Sequence, residues 1–352
     1  MMSNIKSIII NSVFVETTSN CNLKCKHCYN DSGNDKRYIT YETLEQLFKS
    51  LLNLNVQHVS ISGGEPCLHP DFVRIIQLLD KYPIRYQLIT NGTLFQNYLE
   101  LLQKYRNQLS IQISLDGLND IHDIVRGEGV FSLIEKNIDL IRCKKMVYFF
   151  KTTINKFNYK HLNQIVDYVV KSGGYSISFS FMNPIGRGLL NKELCLSDAQ
   201  IVETYDVLKK LKDKYDDKVK VEIPNLFKNG VCPWFVFEKG KPLKLSPRID
   251  VDGYVYLCSA FMNSKFSIGN INLASLEDIV FNSGELNELL SFIKLNKKYT
   301  IDCPTCFLNE ACAKGCPASY LEKTNKYHDN FCNSRKIAFV QNICTKEDLV
   351  LT

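Results

Sequence analysis

Between Ser7 and about Asp216, short β-branched runs alternate with amphipathic stretches, a pattern that restricts the chain to a parallel sheet with crossover helices. Strands are expected at Ile8 to Thr17, His58 to Ser62, Ile84 to Thr90, Leu109 to Leu115, Met146 to Ile154 and Tyr175 to Met182. Helices fall between them. From Thr40 to Leu54, for example, Thr40 can cap the first turn, and Leu44, Leu47, Phe48, Leu51 and Leu52 recur at helical spacing. Six βα units are too few for a closed eight-stranded barrel. The expected fold class is α/β, a partial barrel or open sheet with its chemistry at the C-terminal strand ends.

After a helix near Ala199 to Tyr215 the texture becomes Pro-rich, with Ile223-Pro224, Cys232-Pro233 and Lys241-Pro242, and cysteines become denser. The boundary is placed near Val221, dividing the chain into a core of residues 1–218 and a small cysteine-rich domain of residues 219–352. One hairpin is legible in the second part, Arg248 to Tyr256, turning at Asp252-Gly253.

Fourteen cysteines in 352 residues ask for a reason. The first ten residues hold no secretory apolar core beyond Ile8-Ile9-Ile10, and no run reaches the roughly 18 apolar residues of a membrane span. A cytoplasmic location with no membrane association is therefore expected. In a reducing compartment such cysteines bind metal or do chemistry more often than they form disulfides. The charge balance, 43 basic against 37 acidic residues, is too mild and too dispersed to indicate nucleic acid.

Directly after the first strand comes Cys21-x3-Cys25-x2-Cys28, within Thr17 to Tyr29. Three thiolates are one short of a closed zinc site, whereas on an iron-sulfur cluster they leave one iron open. A zinc loop or buried free thiols is the alternative. Further motifs sit at successive strand ends: Ser62-Gly63-Gly64-Glu65-Pro66, Thr90-Asn91-Gly92, Ser114-Leu115-Asp116-Gly117, Thr153 with Asn155, and Pro184-Ile185-Gly186-Arg187. Each alone could be a turn or a cap. Taken in order, they resemble the radical S-adenosylmethionine (SAM) superfamily. His27 stands at the aromatic position before the third cysteine, Gly63 to Pro66 match the GGEP motif, and His122 to Gly127 match a stretch common in part of the family.

That resemblance covers about Ile8 to Tyr215 and implies a partial (β/α)6 TIM-like barrel. It implies a 4Fe-4S cluster on Cys21, Cys25 and Cys28 with SAM on the open iron, cleaved reductively to a 5′-deoxyadenosyl radical. The cofactor-binding residues it implies are His27, Tyr29, Gly63, Gly64, Glu65, Pro66, Thr90, Asn91, Ser114, Asp116, Arg126, Thr153, Asn155 and Arg187.

The C-terminal part carries Cys303-x2-Cys306-x5-Cys312-x3-Cys316, then Cys332, and upstream Cys232 and Gly253-x4-Cys258. Seven cysteines in this order resemble the SPASM extension with two auxiliary iron-sulfur clusters of the 4Fe-4S type. By resemblance Cys303, Cys306, Cys312 and Cys332 hold the distal cluster, and Cys232, Cys258 and Cys316 the nearer one. Twenty residues (253 − 232 − 1) separate Cys232 from Gly253, longer than the family spacer. The nearer cluster lacks a fourth thiolate unless an off-motif residue such as Cys195 supplies it; zinc is the alternative for the whole field. Cys67, Cys143 and Cys344 match no motif and are expected to be buried small hydrophobes.

Members of this type modify ribosomally made peptides, convert a sulfatase residue to formylglycine, or oxidise small molecules. Sulfatase-maturing members usually carry Asp after the Cys of Gly-x4-Cys, where this chain has Ser259. The expected activity is therefore oxidative modification of a precursor peptide by a thioether or carbon-carbon crosslink. The alternatives are a sulfatase-type formylglycine maturase or a small-molecule radical dehydrogenase. Partners implied by the resemblance are the precursor peptide and a flavodoxin- or ferredoxin-like electron donor. Because the first strand begins almost at residue 1, leader recognition is expected from a separate protein or the SPASM region.

Overall fold

The computed structural model describes residues 8–224, 242–296, 305–308, 318, 331–341 and 343. The chain divides into two compact units, one comprising Val15–Tyr41 and Val59–Pro224, the other Met1–Phe14, Glu42–His58 and Asn225–Thr352. The expected first strand is in fact two. β1 (Ile8–Ile10) pairs in parallel with β9 (Leu243–Leu245), and β2 (Ser12–Thr18) starts after a break at Asn11, whose N–H donates to Leu245 O at 3.0 Å. A one-residue interruption in an apolar run leaves no periodicity signal, so the run reads as continuous.

In the first unit the strand order is β2, β3 (His58–Gly63), β4 (Arg85–Thr90), β5 (Leu109–Ser114), β6 (Tyr148–Ile154), β7 (Ser176–Phe181) and β8 (Lys220–Glu222). Each neighbouring pair from β4 to β8 is parallel. The strand β8 is additional to the six expected, and its three residues are too few to show alternation. Along β5, Leu109, Ile111 and Ile113 are buried while Ser110, Gln112 and Ser114 are less so; β6 alternates in the same way. That period of two puts one face into the core and leaves a more polar face.

The helices are α1 (Tyr41–Asn53), α2 (Phe72–Gln77), α3 (Leu99–Lys104), α4 (Asp120–Arg126), α5 (Val130–Cys143), α6 (Leu162–Ser172) and α7 (Asp198–Tyr215). In α6, Leu162, Ile165, Val166 and Val169 recur at helical spacing and are buried, each contributing roughly 1.5–3 kcal/mol by leaving water. Tyr168 of α6 meets Phe150 of β6 at 6.5 Å and Phe131 of α5 at 5.7 Å between ring centroids. Gly173 ends α6 at φ +80°, and α7 opens with a reciprocal capping box between Ser197 and Gln200. Cys67 is buried as expected. Cys143, the last residue of α5, is instead exposed, because it lies off the helix's Ile134, Ile138 and Ile141 stripe. Cys344 lies outside the described residues.

In the second unit β10 (Arg248–Ile249) and β11 (Tyr254–Tyr256) form the expected hairpin, and β12 (Gly269–Asn270) adds antiparallel to β11. Gly253 has φ +84°, and a Cβ there would crowd the side chains of Asn270 and Asn272, so glycine is required at the turn. Helices α8 (Leu276–Phe281), α9 (Gly284–Asn296) and α10 (Cys332–Val340) complete the described part.

Candidate active site

The loop after β2 carries Cys21, Cys25 and Cys28, and the turn after β3 is packed directly onto it. Gly64 N–H donates to Thr18 O at 2.6 Å, and Glu65 N–H to Asn20 O at 2.8 Å. A Cβ on Gly63 would collide with the Thr18 backbone, and one on Gly64 with the backbone of Ser19 and Asn20. Both glycines are thus demanded by the approach of two loops. Pro66 opens a short 3-10 turn after them.

Glu65 is fully buried, and its carboxylate accepts hydrogen bonds from Thr90 Oγ1 at 2.9 Å, Asn91 N at 2.8 Å and Cys67 N at 3.3 Å. Burial raises its pKa against the pull of these donors. Three expected site residues, Glu65, Thr90 and Asn91, are therefore drawn together across the ends of β3 and β4. Asn91 also reaches the cysteine loop, its Nδ2 donating to Asn22 Oδ1 at 2.9 Å and standing 3.9 Å from Cys21 Sγ.

Each thiol has an N–H donor. Leu23 N lies 3.4 Å from Cys21 Sγ, Ser32 N lies 3.4 Å from Cys28 Sγ, and Arg126 Nη1 lies 3.9 Å from Cys25 Sγ. Burial pushes Cys21 up to about 12, partly offset by the Leu23 N–H, with Glu65, Cys25 and Cys28 raising it further. Burial likewise raises Cys25, opposed by Arg126. The three sulfurs are thus close enough to resist one another's ionisation. Among the described residues no three His, Cys, Asp or Glu side chains converge on a single ion position.

Asp116, at the end of β5, ties four segments together. Its carboxylate is fully buried and accepts from Arg126 Nε at 2.6 Å, His27 Nε2 at 3.0 Å and Thr153 N at 2.7 Å. Its own N–H donates to His122 Nδ1 at 3.1 Å, and its carbonyl accepts from Asn158 Nδ2 at 2.8 Å. Burial disfavours the anion, but Arg126 and His27 overcome it and hold the carboxyl well below the usual range. Burial pushes His122 down to about 4, Arg126 adding to the effect.

The remaining expected residues have distinct places. Ser114 pairs in register with Lys151 on the less buried face. Asn155 is fully buried and closes its own turn, accepting from Phe157 N at 2.9 Å. Arg187 donates to Cys25 O at 3.1 Å and Ser32 O at 2.6 Å and pairs with Asp31 at 2.8 Å. A Cβ on the preceding Gly186 would strike the Tyr29 and Cys28 carbonyls. Tyr29 donates its hydroxyl to the buried Glu16 at 3.0 Å. Glu16, Asn22, Ser32 and Asn158 escape sequence reasoning; Asn22, inside the cysteine motif, has the best available signal.

In the second unit Cys258 is buried just beyond β11, and Cys306 and Cys332 are partly exposed. Cys232, Cys303, Cys312 and Cys316 lie outside the described residues. Cys195, the other cysteine considered for that field, follows the 3-10 segment 186–194 and is partly exposed.

Residues 15–169 match the radical SAM superfamily model, and residues 245–307 match the SPASM model, an iron-sulfur cluster-binding domain. The chain carries a radical SAM domain followed by a SPASM domain. A cysteine-type anaerobic sulfatase-maturating enzyme of Clostridium novyi is 29% identical over 93% of both chains. The subtilosin biosynthesis protein AlbA of Bacillus subtilis is 28% identical over 91% of this chain and 70% of its own. The fold is that of Streptococcus suis SuiB with bound S-adenosylmethionine, with a TM-score of 0.75 at 16% identity, over 93% of this chain and 78% of SuiB. SuiB bound to the precursor peptide SuiA scores 0.72. No described helix of this radical SAM protein is long and apolar enough to cross a membrane.

The residues present fit the iron-sulfur cluster that a radical SAM domain implies. Three thiols on one loop, each with an N–H donor and close enough to oppose one another's ionisation, fit the three-thiolate ligation that leaves one iron of a cluster open.

Proposed function

We propose that the protein is a peptide-modifying radical SAM/SPASM enzyme that forms an oxidative crosslink, thioether or carbon-carbon, in a ribosomally made precursor. The observation carrying the radical assignment is the coupled thiol set Cys21, Cys25 and Cys28 held against the Gly63-Gly64-Glu65 turn. When bound, the cluster and SAM supply reductive cleavage to a 5′-deoxyadenosyl radical, the hydrogen-abstracting agent.

The chain's own residues bind and orient. Cys21, Cys25 and Cys28 hold the cluster, Arg187 fixes the backbone between them, and Glu65 sets Thr90 and Asn91. Asp116 fixes Arg126 and His27 beside Cys25. Auxiliary 4Fe-4S clusters are assigned to Cys303, Cys306, Cys312 and Cys332, and to Cys232, Cys258 and Cys316, within a domain of residues 219–352.

A peptide substrate is supported by the bacteriocin role in AlbA's name and by the precursor peptide bound to SuiB. Ser259, where sulfatase-maturing members carry Asp, supports it further. The second reading, a sulfatase-type maturase, is favoured by the full-length similarity to the Clostridium novyi enzyme. Mass spectrometry of short peptides encoded beside the gene, after anaerobic co-expression with wild type or Cys28→Ala, separates the two. Hydrogen loss that depends on Cys28 supports the crosslinking maturase. Unchanged peptide masses from enzyme shown to cleave SAM refute it, and formylglycine in a co-expressed sulfatase supports the second reading.

A further inference from the structure

One register row on the inner face of the sheet in the first unit is only partly accounted for by the strand-end motifs. Ser114 of β5 stands beside Lys151 of β6, Lys151 beside Ser178 of β7, and Ser178 beside Glu222 of β8. Two residues nearer the C-terminal strand ends, Thr153 stands beside Ser180. Lys151, Ser178 and Ser180 share the less buried face, because the alternate residues Phe150, Thr152, Ile177 and Phe179 are buried, and Phe150 meets Tyr168 of α6. In a partial barrel with its helices outside, that face is the lumen.

Lys151 is the anomaly in this row. It is partly buried, and desolvation lowers its pKa against the opposing pull of Glu222 and Asp116. Among the described residues no hydrogen bond or ion pair holds its ammonium. Both nearby carboxylates are already matched, Asp116 by Arg126 and the His27 ring, and Glu222 by Lys220 on its own strand. The hydroxyls of Ser178 and Ser180 are likewise without partners among the described residues. Polar groups drawn out of water are ordinarily paired, so an ammonium and two hydroxyls on one patch suit an anion that the fold does not supply. With neighbouring strands about 4.8 Å apart, the donors of β6 and β7 can reach the two oxygens of one carboxylate. SAM matches such a site poorly, because its carboxylate travels with an ammonium and a sulfonium and its net charge is positive.

We propose that Lys151, Ser178 and Ser180 bind a carboxylate of the peptide substrate in the barrel lumen, and so select precursors with an acidic residue near the reacting position. The inference rests on the peptide-modifying reading made under the proposed function. No covalent bond forms in this step; the carboxylate accepts from the ammonium and the two hydroxyls. The ammonium gains a counter-charge that the protein alone does not give it, so the contact is worth more than one to an exposed lysine.

The first probes are acetyl-Gly-Glu-Gly-amide and acetyl-Gly-Gln-Gly-amide, which differ by a carboxylate against a carboxamide. They are added at matched ionic strength to full-length, iron-reconstituted protein saturated with SAM. Trace reductive methylation, mapped by mass spectrometry, reads the reactivity of each lysine. Label on Lys151 should fall several-fold with the Glu peptide and hold steady with the Gln peptide, while the exposed Lys145 responds to neither. Lys151→Met should unfold at the same temperature as wild type or higher, since an apolar chain of similar length replaces an unpaired charge. With the precursor found by co-expression, changing the recognised Asp or Glu to its amide should raise KM about ten- to hundred-fold in wild type. The same change should alter KM by less than about twofold in Lys151→Met, with Lys151→Arg between the two. Equal protection by both peptides, no label on Lys151 once SAM is bound, a lower Tm in Lys151→Met, or additive losses in KM overturns the proposal. Selective protection by the Glu peptide in a wild type that modifies no peptide overturns the proposed function instead, and the carboxylate site stands.

Discussion

Replacing Asp116 with Asn should destabilise the first unit more than any exposed charge change. The wild-type carboxylate is fully buried and receives three donors, Arg126 Nε at 2.6 Å, Thr153 N at 2.7 Å and His27 Nε2 at 3.0 Å. Asn preserves the shape and one acceptor, but it removes the charge that compensates Arg126, whose side chain is only 9% exposed. Breaking a buried pair from one side costs about 3–5 kcal/mol, mostly the penalty of the stranded charge. At about 2–4 °C per kcal/mol for a unit of this size, Tm falls by roughly 6–20 °C. The assay is thermal and urea unfolding of Asp116→Asn, Arg126→Gln and the double variant. Removing both charges should recover about 2 kcal/mol relative to additivity, within the range for contacting residues. The sign of the pH dependence follows from the depressed carboxyl. Its folded pKa lies below its unfolded value, so the contribution is complete above the ordinary carboxylate range and is lost as pH falls below it. A loss under about 1 kcal/mol, additive with Arg126→Gln, would refute a charge-compensated junction at Asp116.

Other variants probe separate links. His122 is buried neutral with its pKa near 4, so stability is complete above its unfolded pKa and should decline between about pH 6.5 and 4, by roughly 3 kcal/mol; His122→Gln should flatten that window in acid titrations of the unfolding midpoint. Gly64→Ala places a Cβ against the backbone of Ser19 and Asn20, and iron uptake after anaerobic reconstitution should drop well below wild type while Gly284→Ala, with open space around it, matches wild type. Cys28→Ala should lower iron content by about four per chain and abolish SAM cleavage, leaving auxiliary iron in place; retained cleavage by chromatography refutes the ligand assignment. Gly173→Ala forces a side chain to φ +80° at the end of α6 and should cost about 1 kcal/mol in urea unfolding.

The parts of the molecule legible in its sequence are those set by period and by backbone necessity. Alternation from Leu109 to Leu115 and helical spacing from Thr40 to Leu54 place β5 and α1 to within a residue or two. Gly63, Gly64 and Gly186 fall within motifs legible at the strand ends, and the structure supplies the reason, since a Cβ at each would strike the backbone of the cysteine loop. The break at Asn11 and the strand Lys220–Glu222 are missed for the same reason, being shorter than the window in which a period can repeat. Roles of polar residues are less legible, since a motif records residue type and strand end while a hydrogen bond depends on what arrives from elsewhere in the chain. Asp116, Glu65 and Arg187 read alike as polar groups offered to a ligand, yet all three are engaged by the protein itself.

That engagement has a physical logic. A loop of three thiols that oppose one another's ionisation cannot hold its own geometry, because burial and like charge both act against the metal-binding form. The neighbouring strand ends supply what the loop lacks: Asn91 and Arg126 bring donors toward Cys21 and Cys25, and Arg187 clamps the carbonyls of Cys25 and Ser32. Arg126 in turn stays buried only because Asp116 meets it, and Asn91 is placed only because Glu65 takes its N–H. The strand-end motifs therefore act on the cysteine loop as well as on any ligand. A substitution at Asp116 or Glu65 should accordingly shift iron affinity and the cluster's reduction potential, whereas loss of a direct SAM contact alone would leave both unchanged and raise only the SAM concentration needed for turnover.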